Sequence, residues 1–486
     1  MSETHAQTTP FVRDTMLPPE PPPATQSGAI LWLRRNLFSG PLNVALTVLG
    51  LAMLWGVVAV VWPWLSHAVW NASSISECRQ IVAERHGQGA TGACFAVIRE
   101  RWNQFLFGFY PRAEYWRPTL AFGLLFFALG PVLFSESRLL RQIVAGVAAV
   151  ATFVCCMLLG AGNTALALIA LTMLVWAGVN ETSRNWSLGL TLLYPFLGVW
   201  LLWGGSLWNE IGVLAGFGAG FAAWRLAARV GVTGMIGFAV AVLGTVLWWW
   251  LLAAPFAAMM QSLLAVSLPP VASTRFGGFV LSITIGVAAI TMSLPLGIIL
   301  ALARRSDMPV VRMMAVMFIE FIRGVPLITL LFVASLLLNY FLPPGTSFDI
   351  ILRVIIMVTL FASAYMAEVI RGGLAALPRG QYEAAGALGL DYWKAQRLIV
   401  LPQALKISIP GIVSTFIGLF KDTTLVTFVG LFDPLKAMAD TVRASFEWKG
   451  AYWEPYVFTG TIFFVLCFSM SRYSMYLERR LKRDHR

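Results

Sequence analysis

Long apolar segments alternate with short polar segments along most of the chain. An apolar run of about 20 residues can cross a bilayer as an α-helix, whose backbone groups are satisfied within the segment. The chain lacks the period-two alternation that is typical of a transmembrane barrel. The pattern therefore predicts an all-α polytopic membrane protein with about 12 transmembrane helices. The candidate spans are 44–65, 118–134, 143–160, 164–179, 188–203, 211–224, 235–255, 277–302, 313–341, 350–370, 405–429 and 456–477.

Composition supports this fold class. Of the 486 residues, 58% are hydrophobic and 12% are charged, whereas soluble domains carry roughly 25% charged residues. The net charge of +12 has two readings, a nucleic-acid or anionic-lipid surface and an excess of Arg and Lys in cytoplasmic loops. The second is the usual pattern of a polytopic membrane protein. We therefore expect membrane lipid around the chain and no nucleic acid partner.

The positions of the basic residues predict an orientation. Arg34 and Arg35 precede the first span, which keeps them, and the Pro-rich tail 1–28, on the cytoplasmic side by the positive-inside rule. We expect that tail to be disordered. The basic residues that follow fall in alternate loops, and twelve spans return the C-terminus to the cytoplasm. This count places the loop 66–117 outside and the polar loop 378–402 inside.

The outer loop contains a pair of cysteines, Cys78 and Cys94. In an oxidising compartment two such thiols are expected to pair as a disulfide, and the alternative is two free thiols. No cluster of residues in the sequence has the spacing of metal ligands, so we expect no metal site.

The polar loop has a distinctive order of small, charged and helix-breaking residues. Gly389 allows a turn, and Pro402 is tolerated where a helix starts. The pattern E-A-A…G…I-x-L-P comprises Glu383, Ala384, Ala385, Gly389, Ile399, Leu401 and Pro402. It resembles the loop by which permease subunits of ATP-driven (ABC) importers are recognised. The resemblance implies a C-terminal five-helix type I importer core, and a short helix in this loop that docks on a separate ATPase subunit.

Further motifs narrow the resemblance. The segments 319–327, 364–374, 380–383, 401–404 and 421–425 are similar to motifs of polar-amino-acid permeases. The outer loop, together with the segments 107–111 and 116–118, resembles the M-type permease subunit of bacterial general L-amino-acid transporters. The region from about 139 to 258 departs from that pattern. These features divide the chain into an N-terminal membrane module, 29–270, and a permease core, 271–486.

Several motif residues place charge in or near a span, where an ionisable group is costly unless it is paired or hydrated. The pairs Glu320–Arg323 and Glu368–Arg371 have the spacing of one helical turn and can neutralise each other. Such pairs either line the path of a zwitterionic amino acid or only hold helices together. The candidate pathway residues are Glu320, Arg323, Pro326, Tyr365, Glu368, Lys421, Asp422 and Thr423. Pro326 is expected to break its helix, and Lys421 and Asp422 are expected near the middle of the span 405–429.

The chain has no G-x-x-x-x-G-K-[ST] loop for phosphate. We therefore expect it to bind no cofactor and to be a transport subunit, not an enzyme, with ATP used by the partner subunit. The family resemblance implies three partners: an ABC ATPase subunit, a related permease subunit in a heterodimer or homodimer, and a periplasmic amino-acid-binding protein. It also implies a place in the bacterial inner membrane. The alternatives are an ion-coupled secondary transporter of amino acids and a structural or signalling membrane protein.

Overall fold

The structure is a computed structural model that describes residues 28–133, 138–159, 166–167, 169–170, 172–173, 183–337, 340 and 348–483. The chain divides into two compact units, Met1–Phe95 and Ala96–Arg486. The predicted disordered tail lies outside the described residues, apart from Gly28. The predicted modules 29–270 and 271–486 stay a prediction.

The first unit contains α1 (Gly28–Asn36), α2 (Pro41–Ser66) and α3 (Ile75–His86). α2 carries Pro41 in its first turn and has no buried residue. A helix that is apolar on every face is typical of a membrane span. α3 is a polar helix that begins after Ser74, whose hydroxyl accepts a hydrogen bond from the Glu77 backbone N–H at 3.2 Å. This is a standard N-cap, and it explains why the chain turns into a helix at that residue.

The first half of the second unit is a series of helices with one small antiparallel sheet. In that sheet Gly205 pairs with Leu268 and Ser206 with Ser267. A π-helical segment, Trp248–Leu252, joins two of the helices. The elements are α4 (Ala96–Phe107), α5 (Trp116–Leu133), α6 (Arg138–Leu159), α7 (Ser183–Trp203), β1 (Gly205–Ser206), α8 (Leu207–Arg229), α9 (Gly234–Leu247), α10 (Ala253–Leu263) and β2 (Ser267–Leu268).

The second half contains the residues of the predicted permease core. Two π-helical segments, Val333–Leu337 and Gln396–Val400, and a 3₁₀ segment, Thr423–Val429, interrupt its helices. The α-helices are α11 (Gly278–Arg304), α12 (Pro309–Gly324), α13 (Leu327–Phe332), α14 (Ile350–Ala375), α15 (Gly380–Ala387), α16 (Tyr392–Ala395), α17 (Leu401–Asp422), α18 (Pro434–Ala444) and α19 (Trp453–Arg483).

The all-α membrane fold class is confirmed. Within the described residues, eight helices are long and apolar enough to cross a membrane, or nine if one bent pair is counted as a span. That pair is Pro309–Gly324 with Leu327–Leu337, bent by 103°, so Pro326 breaks its helix as expected. Most of the predicted span 164–179 lies outside the described residues. Apolar helices also cover residues 118–133 of the predicted span 118–134, and the predicted span 188–203.

Two buried apolar clusters organise the second unit. One joins Ala121 of α5 and Leu201 of α7 to Ile285 of α11 and Val358 of α14. Helices before residue 270 therefore pack on the permease core. The other cluster, which includes Ile370, Val400 and Ala404, lies beside the polar loop.

Backbones approach closely in the second cluster. A Cβ at Gly373 of α14 would lie 2.5 Å from the Ala404 carbonyl oxygen of α17 and would also overlap Ser408. Glycine is required here because any side chain would separate α14 from α17 just below the loop that connects them. The position of the loop is therefore set by a rigid pair of helices.

Candidate functional site

The polar loop folds as a short helix, a glycine turn and a second short helix. α15 ends in a turn in which the Gly389 N–H donates to the Gly386 carbonyl at 2.9 Å and the Leu390 N–H donates to the Ala385 carbonyl at 3.2 Å. Gly389 has φ +69, a left-handed conformation that glycine adopts without strain. The predicted turn at Gly389 is therefore present, and it reverses the chain between α15 and α16.

α16 is capped by a charged side chain. Asp391 Oδ1 accepts a hydrogen bond from the Lys394 backbone N–H at 2.8 Å, and Asp391 forms an ion pair with the Lys394 ammonium at 3.2 Å. The hydrogen bond from the Lys394 backbone lowers the pKa of the Asp391 carboxyl, because it favours the ionised form. The second half of the loop is therefore ordered locally, by its own residues.

The loop exposes an apolar surface. Leu388, Trp393 and Leu398 are 74%, 70% and 63% exposed. Glu383 and Ala384 are also exposed, whereas Ala385 is buried. Several large exposed apolar side chains on one polar loop make it a candidate interaction surface.

The expected α-helix start at Leu401–Pro402 is present: α17 begins at Leu401 with Pro402 in its first turn, and it follows directly on other helical structure. Helical structure begins at Tyr392, passes through the π-helical segment Gln396–Val400 and continues into α17 without a break. Proline has no backbone N–H and its ring collides with the carbonyl of the residue four positions earlier. This π bulge ends at Val400, two residues before the proline, so the irregular hydrogen bonding of the helix lies beside the residue that cannot donate. Ile399 lies within the bulge.

The loop is connected to the core by Arg305, which no sequence motif singled out. Arg305 Nη1, at the end of α11, donates to the Tyr382 hydroxyl at 3.1 Å and to the Leu374 carbonyl at 3.3 Å. The guanidinium also lies 5.6 Å from the centre of the Tyr382 ring. Gln403 Nε2 donates to Gln381 Oε1 at 2.9 Å. α15 is therefore connected to α11, α14 and α17.

The candidate pathway residues of α12 and α14 form one charged cluster centred on Glu368. Arg304 Nη1 lies 2.6 Å from Glu368 Oε1 and 3.0 Å from Glu320 Oε1. Arg371 Nη2 lies 3.1 Å and Arg323 Nη1 3.8 Å from Glu368 Oε2. Three helices, α11, α12 and α14, thereby meet through these side chains.

The cluster corrects one predicted pair. The Glu368–Arg371 pair is present, but Glu320 pairs with Arg304 of α11 and not with Arg323, whose carboxylate partner is Glu368. The Arg323 guanidinium also lies 5.6 Å from the centre of the Tyr365 ring, which brings Tyr365 to the cluster. A charged side chain can pair with a residue one turn away on its own helix or with a residue on a facing helix. Here Glu320 and Arg323 both pair with a residue on a facing helix.

Lys421, Asp422 and Thr423 lie elsewhere. Lys421 and Asp422 were expected near the middle of the span 405–429. They lie inside a candidate span, Tyr392–Val429, where α17 ends at Asp422 and a 3₁₀ segment begins at Thr423. Thr423 is buried, and its hydroxyl donates to the Phe420 carbonyl at 2.7 Å. Asp422 is eighteen residues beyond Ala404, a rise of about 27 Å along a helix, and Ala404 is the residue that contacts α14 near the loop. The candidate pathway residues therefore form two groups at opposite ends of α17.

The cysteine pair lies in the first unit. Cys78 and Cys94 are joined as a disulfide with their Cα atoms 6.0 Å apart, a separation that a disulfide spans. Both are buried, at 2% and 3% exposure. In the part of the chain that the structure describes, no group of three or more His, Cys, Asp or Glu residues could hold a metal ion.

Two known proteins match nearly the full length of this chain, and a family profile matches its C-terminal part. The profile of the family described as "Binding-protein-dependent transport system inner membrane component" matches residues 293–483. The chain is 59% identical over 480 residues to the glutamate/glutamine/aspartate/asparagine transport system permease protein BztC of Rhodobacter capsulatus, covering 98% of this chain and 99% of that protein. It is 36% identical over 464 residues to the inner membrane amino-acid ABC transporter permease protein YhdY of Escherichia coli, covering 95% and 96%. A crystal structure of an amino acid ABC transporter, 30% identical, covers 41% of this chain and 91% of its own with a TM-score of 0.37.

The full-length matches decide between the alternatives that the sequence left open. Both relatives are transport permeases, and one is named an ABC transporter permease. This excludes the ion-coupled transporter and the structural or signalling protein as readings of the chain. The chain belongs to the amino-acid permeases of ATP-driven, binding-protein-dependent (ABC) importers.

Proposed function

We propose that this chain imports glutamate, glutamine, aspartate and asparagine across the bacterial inner membrane as the permease subunit of a larger complex. The observation that carries the proposal is 59% identity to a permease named for those four amino acids, over nearly the full length of both chains. The charged cluster supports an anionic or zwitterionic cargo, because it contains three guanidinium groups and two carboxylates. Its excess of positive charge favours a carboxylate in transit.

The polar loop is the proposed docking site of an ATPase subunit on a separate chain. The sequence contains no P-loop, so ATP hydrolysis requires a partner, and the loop offers the exposed apolar residues Leu388, Trp393 and Leu398 for contact. The coupling residues are Glu383, Ala384, Ala385, Gly389, Ile399, Leu401 and Pro402. The attachment of the loop to α11 and α14, through Arg305 and Tyr382, supports a role in transmitting movement of the ATPase to the core.

The remaining partners follow from the family. A related permease subunit completes the membrane part, as a heterodimer or a homodimer, and a periplasmic amino-acid-binding protein delivers the cargo. Both termini and the polar loop lie on the cytoplasmic side in this proposal. The cargo passes two groups of residues: one contains Lys421, Asp422 and Thr423, and the other Glu320, Arg323, Pro326, Tyr365 and Glu368.

The test is co-purification of the ATPase with variants of the loop. Gly389→Asp places a charged side chain at a left-handed turn and should abolish both ATPase binding and ATP-driven uptake. Gly231→Asp is the matched control, because Gly231 also has positive φ, +86, and a Cβ there meets no atom within 4 Å. Equal ATPase binding by the two variants would remove the loop from the interface. Uptake that follows a proton or sodium gradient without ATP would refute the proposed function itself.

A further inference from the structure

A pocket of about 280 Å³ lies beneath the polar loop, between the ends of α11 and α14 on one side and α15, α16 and the π-helical segment on the other. This volume lies just below the roughly 300–1,000 Å³ of typical small-molecule pockets, so it suits a small solute. Its walls are mainly apolar and aromatic, and include Leu374, Leu390, Tyr382 and Tyr392. An apolar pocket with a few convergent polar groups is the usual form of a small-molecule site.

One polar group of the pocket is a buried amide without a partner. Gln396 lines the pocket and is 6% exposed, and its Oε1 atom has no hydrogen-bond partner among the described residues. A buried polar atom left unpaired costs free energy. The terminal amide torsion of glutamine is soft, so a small rotation can turn this oxygen toward a donor in the pocket.

The other polar group is a cation with spare donors. Arg305 uses only Nη1 for the Tyr382 hydroxyl and the Leu374 carbonyl, and a guanidinium has further N–H groups to offer. Within the described parts of the chain, Arg305 has no carboxylate within ion-pair distance. A ligand carboxylate is its natural complement, since guanidinium and carboxylate match in charge and geometry.

Gln396 also occupies a special backbone position. It is the first residue of the π-helical segment that precedes Pro402, and single π turns within helices are frequent at functional sites. The bulge sets Gln396 at the junction between the loop and α17, so a ligand held by Gln396 and Arg305 touches both the loop and the core helix α11.

We propose that this pocket binds a free α-amino acid from the cytoplasm and that occupancy restrains the loop, so that accumulated product slows import. The carboxylate of the amino acid pairs with Arg305, its ammonium donates to Gln396 Oε1, and its side chain contacts the apolar wall. The ligand connects the loop to α11 and α14. When the ATPase moves the loop, the loop must move relative to these two helices. This inference rests on the proposed function for the orientation of the loop and for its coupling role.

The test uses the whole complex in proteoliposomes with ATP inside and binding protein outside. The initial rate of labelled L-glutamate uptake is compared between vesicles filled with L-glutamine and vesicles filled with acetate of equal osmolarity. Internal L-glutamine should slow uptake in the wild type. Gln396→Leu should raise the internal concentration needed for half inhibition by about tenfold, which corresponds to about 1.4 kcal/mol of binding. Gln396→Asn, which keeps a polar group but shortens the side chain, should do the same if the leucine variant does not assemble.

Gln403→Leu is the matched control. Gln403 lies on the next turns of the same helical segment, is half-buried where Gln396 is buried, and pairs with Gln381 outside the pocket. It should retain wild-type inhibition. Equal inhibition of Gln396→Leu and the wild type would overturn the site, because internal amino acid would then act on the transport pathway. Absence of inhibition in the wild type would overturn it as well.

Two further arms separate the sources of failure. Equilibrium binding of labelled L-glutamine to the purified complex, compared between Gln396→Leu and the wild type, tests the site whatever drives transport. If Gln396→Leu binds as much labelled L-glutamine as the wild type, the pocket is refuted. If uptake does not depend on ATP, only the proposed function is refuted. Vesicles with and without phosphatidylethanolamine test whether a lipid headgroup, also a zwitterion, is the ligand. The assignment would be overturned if the effect of Gln396→Leu depended on the presence of this lipid and not on internal amino acid.

Discussion

The strongest energetic prediction concerns the pair of Arg304 and Glu368. Their closest atoms are 2.6 Å apart, and the two side chains are only 23% and 17% exposed. A hydrogen bond to a charged group in such surroundings contributes about 1.5–3 kcal/mol. Arg304 also contacts Glu320 at 3.0 Å, but the Glu320 side chain is 54% exposed, and exposed ion pairs contribute about 0–1 kcal/mol. The same arginine should therefore couple unequally to its two carboxylates.

Double-mutant cycles measure this difference directly. The first cycle combines Arg304→Met with Glu368→Gln, and the second combines Arg304→Met with Glu320→Gln. The readout is the free energy of unfolding of the purified chain in mixed micelles, followed by tryptophan fluorescence during detergent titration. We expect a coupling energy of about 2 kcal/mol in the first cycle and below about 1 kcal/mol in the second.

Glu368→Gln alone should be the most harmful single change in the cluster. It removes the carboxylate shared by Arg304, Arg371 and Arg323 and leaves like charges close together, at a cost of about 2–3 kcal/mol after allowance for partial exposure. A second cycle with coupling equal to or larger than the first would refute the reasoning, because burial would then not control the strength of these pairs.

Three further predictions concern a turn, a disulfide and a buried arginine. Gly389→Ala should destabilise the loop by about 1–2 kcal/mol, because an L-residue is strained at φ +69, and Gly389→Asn should cost less. Hydrogen exchange of the loop amides measures the difference. Equal exchange rates in the two variants would contradict the prediction. Cys78→Ser should lower the free energy of unfolding by about 3 kcal/mol, because it removes a disulfide to Cys94 with a sequence separation of 16. The melting temperature checks this. Alkylation of both wild-type thiols without reductant would disprove the disulfide. Arg117→Ala should cost about 2–4 kcal/mol, because it removes the buried donor that bonds the carbonyls of Leu201 and Pro269 at 2.7 and 2.8 Å and leaves the buried Leu201 carbonyl without that partner. Free energies of unfolding measure this cost. A loss no greater than that of Arg117→Lys would contradict the prediction.

Much of the fold follows from local properties of the sequence. Apolar runs of spanning length predicted the helices because a backbone in lipid must satisfy its hydrogen bonds within the segment. Gly389 and Pro326 predicted a turn and a helix break because the conformations they favour or exclude are intrinsic to those residues. The spacing of the polar loop identified the family, which the full-length relatives confirmed.

Contacts between distant segments were decided only by the tertiary structure. Arg304 and Glu368 are separated by 64 positions, and nothing local shows that α11 presents its last residues to α12 and α14. The same is true of Arg305 and Tyr382, 77 positions apart, and of the separation of Asp422 from the Glu368 cluster. The sequence by itself determined which segments are helices and which loop is polar, because these depend on each residue's own chemistry. Helix packing decided which charges meet and placed Gln396 beside a pocket. Such contacts depend on the geometry between distant segments, which no short stretch of sequence contains.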